Sequence, residues 1–109
     1  MAQIMYYGYV PTEEWLVQYG VKKNLGKADT PWHASCTVLN AAFDIFRRTG
    51  PGGCWKLPVV YVSGGKASCL AIASSNPMDQ MPMPSPEKIQ RLKEVLGTER
   101  EPQWYRYAG

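Results

Sequence analysis

Apolar residues on both faces of a predicted β-hairpin are the clearest pattern in this chain. Gly64 and Gly65 favour a type I′ turn, since both of its central residues need a positive φ. That turn pairs Val62 with Ala67 and Val60 with Cys69. An exposed hairpin alternates apolar with polar residues, so this one must be covered on both sides. One face carries mostly small residues, Val60, Val62, Ala67, Cys69 and Ala71, and the other carries Trp55, Leu57, Val59, Tyr61, Leu70 and Ile72.

A long amphipathic helix is predicted over residues 31–49. Thr30 followed by Pro31 is a strong helix start, with Thr as N-cap and Pro in the first turn. One apolar stripe at helical spacing is expected to be buried, and the opposite side is expected to face solvent. The stripe contains Trp32, Cys36, Leu39, Phe43 and Phe46 and is widened by Val38, Ala42 and Ile45, and the opposite side contains His33, Thr37, Asn40, Asp44 and Arg47.

The remaining pattern predicts strands at residues 3–10 and 103–107, a short helix ending at Gly20, and a helix from Ser85 and Pro86 to Gly97. The order is strand, helix, strand, strand, helix, strand. This is the order of a ferredoxin-like β-α-β-β-α-β sandwich, an α+β fold with a four-stranded antiparallel sheet and helices on one face. We expect one domain over residues 1–109.

The two hairpin faces give the first functional hypothesis. If the small face packs under the helices, the bulky face points outward, and an apolar surface of that size marks an interaction site. The protein would then be a non-catalytic interaction module, a homodimer joined through its sheet face or a partner of another protein. The opposite assignment, with the bulky face under the helices, weakens this hypothesis. The expected interface residues are Trp55, Tyr61, Leu70, Ile72, Trp104 and Tyr105.

Composition narrows the classes of function. The net charge of the chain is only +3, and its lysines and arginines are scattered along the sequence. Both observations disfavour nucleic-acid binding. RNA binding is a third possibility because the element order matches an RRM, but the third predicted strand has no aromatic residue to stack bases. No apolar run reaches the ~20 residues of a membrane span, and no secretory signal begins the chain. Three cysteines without framework spacing favour reduced thiols and a cytoplasmic protein, although a removed leader stays open.

Candidate chemistry is sparse. His33 and Cys36 could form a catalytic pair, but they fall on opposite sides of the predicted helix. A zinc site from His33 and the three cysteines lacks close ligand pairs, so no metal and no cofactor are predicted. The alternative function is binding of a small apolar ligand, or an enzyme of the dimeric α+β barrel type, with a pocket between sheet and helices. That pocket would draw on Tyr6, Tyr61, His33 and Trp104.

Overall fold

The chain folds into helices and antiparallel strands, described for residues 3–49 and 56–109 in a computed structural model. The α+β class predicted from the sequence is confirmed. A single turn of 3-10 helix at Pro77–Asp79 precedes the last helix. In chain order the elements are β1 (Met5–Tyr9), α1 (Glu13–Lys22), α2 (Pro31–Thr49), β2 (Val59–Val62), β3 (Gly65–Ser68), β4 (Leu70–Ser74), α3 (Pro86–Leu96) and β5 (Gln103–Arg106).

The strands form a three-stranded sheet in the order β4-β1-β5 and a two-stranded hairpin of β2 and β3. A single four-stranded ferredoxin-like sheet is therefore not confirmed. The hairpin and the three-stranded sheet are separated at Cys69, between the end of β3 and the start of β4. The N–H of Cys69 still donates to the carbonyl of Pro58 at 2.9 Å. The chain just after β5 also reaches β2, because the N–H of Ala108 donates to the carbonyl of Val59 at 2.9 Å. The strands thus curl toward one another instead of lying flat.

The hairpin turn differs from the expected one by its position. The chain turns at Ser63 and Gly64, so Val60 lies opposite Ala67 and not Cys69. Gly64 has a φ of 91°, but Ser63 does not have a positive φ, so the turn is not type I′. The register is shifted by two residues, and an even shift leaves every side chain on its predicted face.

The two faces of the hairpin are oriented opposite to the first expectation. Leu70 and Ile72 lie under the helices, where they pack with Leu16, Ile45 and Phe46. Bulky side chains are needed there to fill the wide space between a sheet and the helices above it. The small face encloses a second core inside the curl of the strands, formed by Tyr6, Val60, Cys69, Ala71 and Met81.

Helix α2 begins and ends as predicted, but it is rotated about its axis. Thr37 and Asp44, assigned to the polar side, are buried, whereas Trp32, Leu39 and Phe43 are exposed. Ala42, Ile45 and Phe46 are buried as predicted. The polar groups can be buried because they are satisfied. The hydroxyl of Thr37 donates to the carbonyl of Lys27 at 2.6 Å, with the carbonyl of His33 at 2.8 Å as its alternative acceptor.

A close crossing of α1 and α2 fixes this rotation. Gly20 lies inside α1, which continues to Lys22, so it is not the C-cap that the sequence suggested. A methyl group at Gly20 would lie 2.3 Å from Cγ2 of Thr37. The absence of that methyl lets α1 press against the Thr37 side of α2. The apolar stripe on the other side of α2 is therefore left facing outward.

Candidate interaction surface

The outer face of α2 carries an uncovered apolar stripe. Trp32 is 73% exposed, Leu39 49% and Phe43 61%, and Cys36 lies half-buried between them. These three large side chains expose on the order of 300–400 Å² of apolar area. A contiguous patch of this size is about the largest found on a typical monomer and is often functional.

The spacing of this stripe suits contact with another helix. Its positions, 32, 36, 39 and 43, are separated by four, three and four residues. This is the alternation that places apolar side chains on the contact seam of two paired helices. The core side of α2 follows a different line, through Ala41, Ala42 and Ile45, on the other side of the helix.

Opposite charges lie at the two ends of the stripe. At the start, Asp29 Oδ1 and His33 Nδ1 are 2.5 Å apart, and this contact lowers the pKa of the Asp29 carboxyl. At the other end, the exposed Arg47 donates to Asp44 at 2.6 Å. Asp29 thus lies at the beginning of the stripe and Arg47 at its end, so a reversed copy of the stripe would bring these opposite charges near each other.

A second feature is a cavity of about 970 Å³ between the hairpin and the helices. Its position is the one expected for a small-molecule pocket, but its lining differs from the expected residues. Tyr6, Tyr61, His33 and Trp104 are not among the lining residues. The walls include Leu16, Val38, Leu39, Leu57, Val59 and Tyr105.

The residues predicted to form one sheet-face interface are not gathered on one surface. Leu70 and Ile72 are buried in the main core, and Tyr105 packs against the second core. Tyr61 and Trp104 are both about two-fifths exposed. Trp55 lies outside the described residues.

Tyr61 and Trp104 have different surroundings. The Tyr61 ring lies between two cations, with Lys66 Nζ at 5.7 Å and Arg106 Cζ at 4.9 Å from its centroid. The ring of Trp104 packs against Tyr7, with centroids 5.1 Å apart. Tyr61 is therefore the centre of a cationic rim beside the hairpin.

Tyr6 belongs to a buried polar cluster and not to a pocket. Its hydroxyl donates to Asp79 at 3.1 Å, and Asp79 also accepts from Ser74 and Lys56, each at 2.5 Å. Burial raises the pKa of Asp79, but these hydrogen bonds more than offset it and hold the pKa below its usual value. These hydrogen bonds hold the turn at Pro77–Asp79 against the sheet.

In the described part of the chain, the thiols and the histidine are not brought together as a Cys–His pair or a cluster of metal ligands. No hydrogen bond there joins His33 to Cys36, and His33 is held by Asp29 instead. Burial raises the pKa of the Cys69 thiol to about 12, which makes it a poor nucleophile. Among residues 3–49 and 56–109, no three His, Cys, Asp or Glu side chains are grouped to hold a metal. Cys54 lies outside these ranges.

Comparison with known proteins adds no relative. No family model matches the chain, and no curated protein or solved structure is significantly similar to it. Within the described residues, no helix has the length and apolar character to cross a membrane. The sequence pattern assigned Trp32, Leu39 and Phe43 to the core, but the structure leaves them on an exposed stripe of α2. The four-three-four spacing of this stripe is the signal in the sequence that could have indicated a helix-contact surface.

Proposed function

We propose that this protein is a non-catalytic interaction module that forms a homodimer through the outer face of α2. The observation that supports this most is the exposed stripe of Trp32, Leu39 and Phe43, opposite the buried side of the helix. In water such a stripe gains free energy when it is covered. A second copy offers a surface of the same length and spacing, as a two-fold interface requires.

The expected dimer places the two α2 helices antiparallel. A two-fold axis midway between positions 37 and 38 brings Trp32 of one copy against Phe43 of the second copy. The same axis brings Cys36 against Leu39 of the second copy. It also places Asp29 at the end that carries Arg47 of the other helix, so that opposite charges meet. A parallel arrangement would place like charges together at both ends.

The size of the stripe sets the expected affinity of the dimer. Stable specific interfaces bury about 800 Å² on each partner, and the three side chains supply roughly half of that. Polar neighbours such as Ser35 and Asn40 would form the rim. We therefore expect a dissociation constant in the micromolar range, at the weak end for specific dimers.

Sedimentation equilibrium tests the proposal with one variant and one matched control. Phe43→Lys should be monomeric while its urea unfolding transition is unchanged, because Phe43 is largely outside the core. Met78→Lys replaces an exposed apolar side chain away from the stripe and should remain dimeric. A wild-type protein that stays monomeric at high micromolar concentration contradicts the proposal, and so does a dimeric Phe43→Lys.

Crosslinking at Cys36 tests the orientation. In the antiparallel dimer the two copies of Cys36 lie close to the two-fold axis, so a short bismaleimide should join them. The experiment uses a Cys54→Ser background, since Cys69 is buried. Cys36→Ser in that background is the control that should give no product. Absence of crosslinking in a protein that sediments as a dimer would refute this orientation and leave dimerisation standing.

The free thiols indicate the cellular compartment in which the protein is expected. Cys36 and Cys69 are both unpaired. Unpaired thiols persist in a reducing environment, which supports a cytoplasmic location as part of this proposal.

A further inference from the structure

We infer that the free edge of β3 binds an extended segment of a partner protein by accepting it as an added strand. The site lies along the cavity between hairpin and helices, which borders the outer stripe of α2 at Leu39 but not at Trp32 or Phe43. Within the described residues β3 pairs with β2 alone. Its other edge borders the cavity, to which Lys66, Ala67 and Ser68 all contribute.

The direction of the backbone groups follows from the hairpin register. The N–H of Cys69 bonds to Pro58, and the N–H of Ala71 bonds to Lys56. In an antiparallel ladder the hydrogen-bonded residues alternate, so Ala67 also faces β2. Lys66 and Ser68 therefore point their N–H and C=O groups away from β2. No backbone hydrogen bond between described residues occupies these four groups.

The gap beside β3 exists because its natural neighbour leaves the sheet. β1 pairs with β4 as far as Tyr9 opposite Leu70. Beyond that point Pro11 has no N–H to donate, and Thr12 accepts from the N–H of Trp15 at 3.0 Å as the N-cap of α1. The chain thus turns into a helix where a continued β1 would have paired with β3.

The walls of the gap indicate the chemistry of the occupant. Leu16, Val38 and Leu57 line the helix side, and Val62 and Tyr105 line the other. A strand placed between them would bury apolar side chains on both of its faces. At the rim Lys66 contacts the ring of Tyr61, and no ion pair joins Lys66 to a described acidic residue. An acidic side chain on the occupant would complement Lys66 and the neighbouring Arg106.

The exposed backbone groups favour a peptide over a small apolar ligand. Lys66 and Ser68 together offer two donors and two acceptors in the spacing of a β-ladder. An extended peptide satisfies all four, as in other complexes that add a strand to a sheet edge. A purely apolar ligand would cover these groups without bonding them, which is costly.

An NMR titration tests the inference. The probe is an acetylated Glu-Val-Ile-Val-Glu-Val peptide, added to nitrogen-15 labelled protein while the amide signals of Lys66 and Ser68 are followed. Ser68→Pro removes only an outward N–H, so the hairpin ladder stays intact. Ser68→Ala is the matched control, because it retains the N–H. Both variants are first checked for an unchanged urea transition.

The expected result is a saturable shift of both amide signals in the wild type and in Ser68→Ala. Ser68→Pro should bind about tenfold more weakly, the loss of one hydrogen bond. The same peptide N-methylated at every residue should not bind, because neither of its edges then has an N–H to donate, and this test needs no variant of the protein. The Phe43→Lys protein should bind like the wild type, since Phe43 does not line the cavity.

Three results would overturn the inference. One is the absence of shifts with the unmodified peptide. Another is equal affinity for the N-methylated peptide, which would mean that backbone pairing is not used. The third is a shift of the cavity residues by anilinonaphthalenesulfonate but not by the peptide, which would assign the cavity to a small apolar ligand.

Discussion

Asp44 offers the most direct test of how α2 is held against the rest of the molecule. Its carboxylate is buried and accepts from the hydroxyl of Tyr19 at 2.7 Å, from Arg47 at 2.6 Å and from Arg48 at 2.8 Å. Asp44→Asn keeps the size of the side chain and removes its charge. We expect this variant to fold with a clearly lower free energy of unfolding.

The magnitude follows from the pKa of the carboxyl. Burial raises it, but the hydrogen bonds from Tyr19, Arg48 and Arg47 outweigh burial and lower the pKa from 3.8 to about 2. A shift of this size corresponds to about 2 kcal/mol of stability. Because the folded-state pKa is the lower one, this stability is present above the unfolded value and is lost as the pH falls toward 2. We therefore expect Asp44→Asn to cost about 2–3 kcal/mol near neutral pH.

Urea unfolding of wild type and Asp44→Asn at several pH values measures the effect. The difference in the free energy of unfolding should shrink to about half near pH 3, because the wild-type carboxylate loses its advantage there. Glu87→Gln is the control, since Glu87 is exposed and pairs only with the exposed Arg91 at 3.0 Å. It should change the free energy by less than about 0.5 kcal/mol. An Asp44→Asn protein as stable as this control, or a difference that does not change with pH, would refute the reasoning.

Two further substitutions test the sheet. Gly8→Ala should destabilise the protein by more than about 3 kcal/mol in thermal unfolding, because the added methyl would lie 2.0 Å from the carbonyl oxygen of Leu70; a melting temperature near that of wild type would show that β1 and β4 do not approach so closely. Leu70→Lys should abolish cooperative unfolding, since Leu70 is fully buried beneath the helices. A folded Leu70→Lys protein would show that this face of the hairpin is exposed to solvent.

The bounds of two helices and the existence of the hairpin could be predicted from the sequence because their signals are local. Thr30 caps α2 through the N–H of His33 at 3.1 Å, and Ser85 caps α3 through the N–H of Lys88 at 3.2 Å. Gly97 ends α3 with a φ of 68°, a conformation that glycine adopts without strain. These interactions join residues within one or two turns, so the sequence contains both partners side by side.

The buried side of α2 was decided by tertiary structure. The predicted apolar stripe is wide: Ala42, Ile45 and Phe46 at one edge of it are buried, whereas Trp32, Leu39 and Phe43 are exposed. Hydrophobicity favours the larger side chains for the core, but the side that carries Thr37 and Ala41 permits the close contact with Gly20 of α1. The sequence pattern cannot show that contact, because it joins residues brought together only by the fold.

The orientation of the hairpin and the position of the cavity were also decided by tertiary structure. Period-two alternation places side chains on two faces, but it does not say which face meets the helices. That choice depends on whether Leu70 and Ile72 or the smaller Val60 and Ala71 fill the space beneath α2. The sequence by itself determined the local elements and their alternating faces. Only the tertiary structure decided which faces are buried and which are left for partners, because burial depends on contacts between residues far apart in the chain.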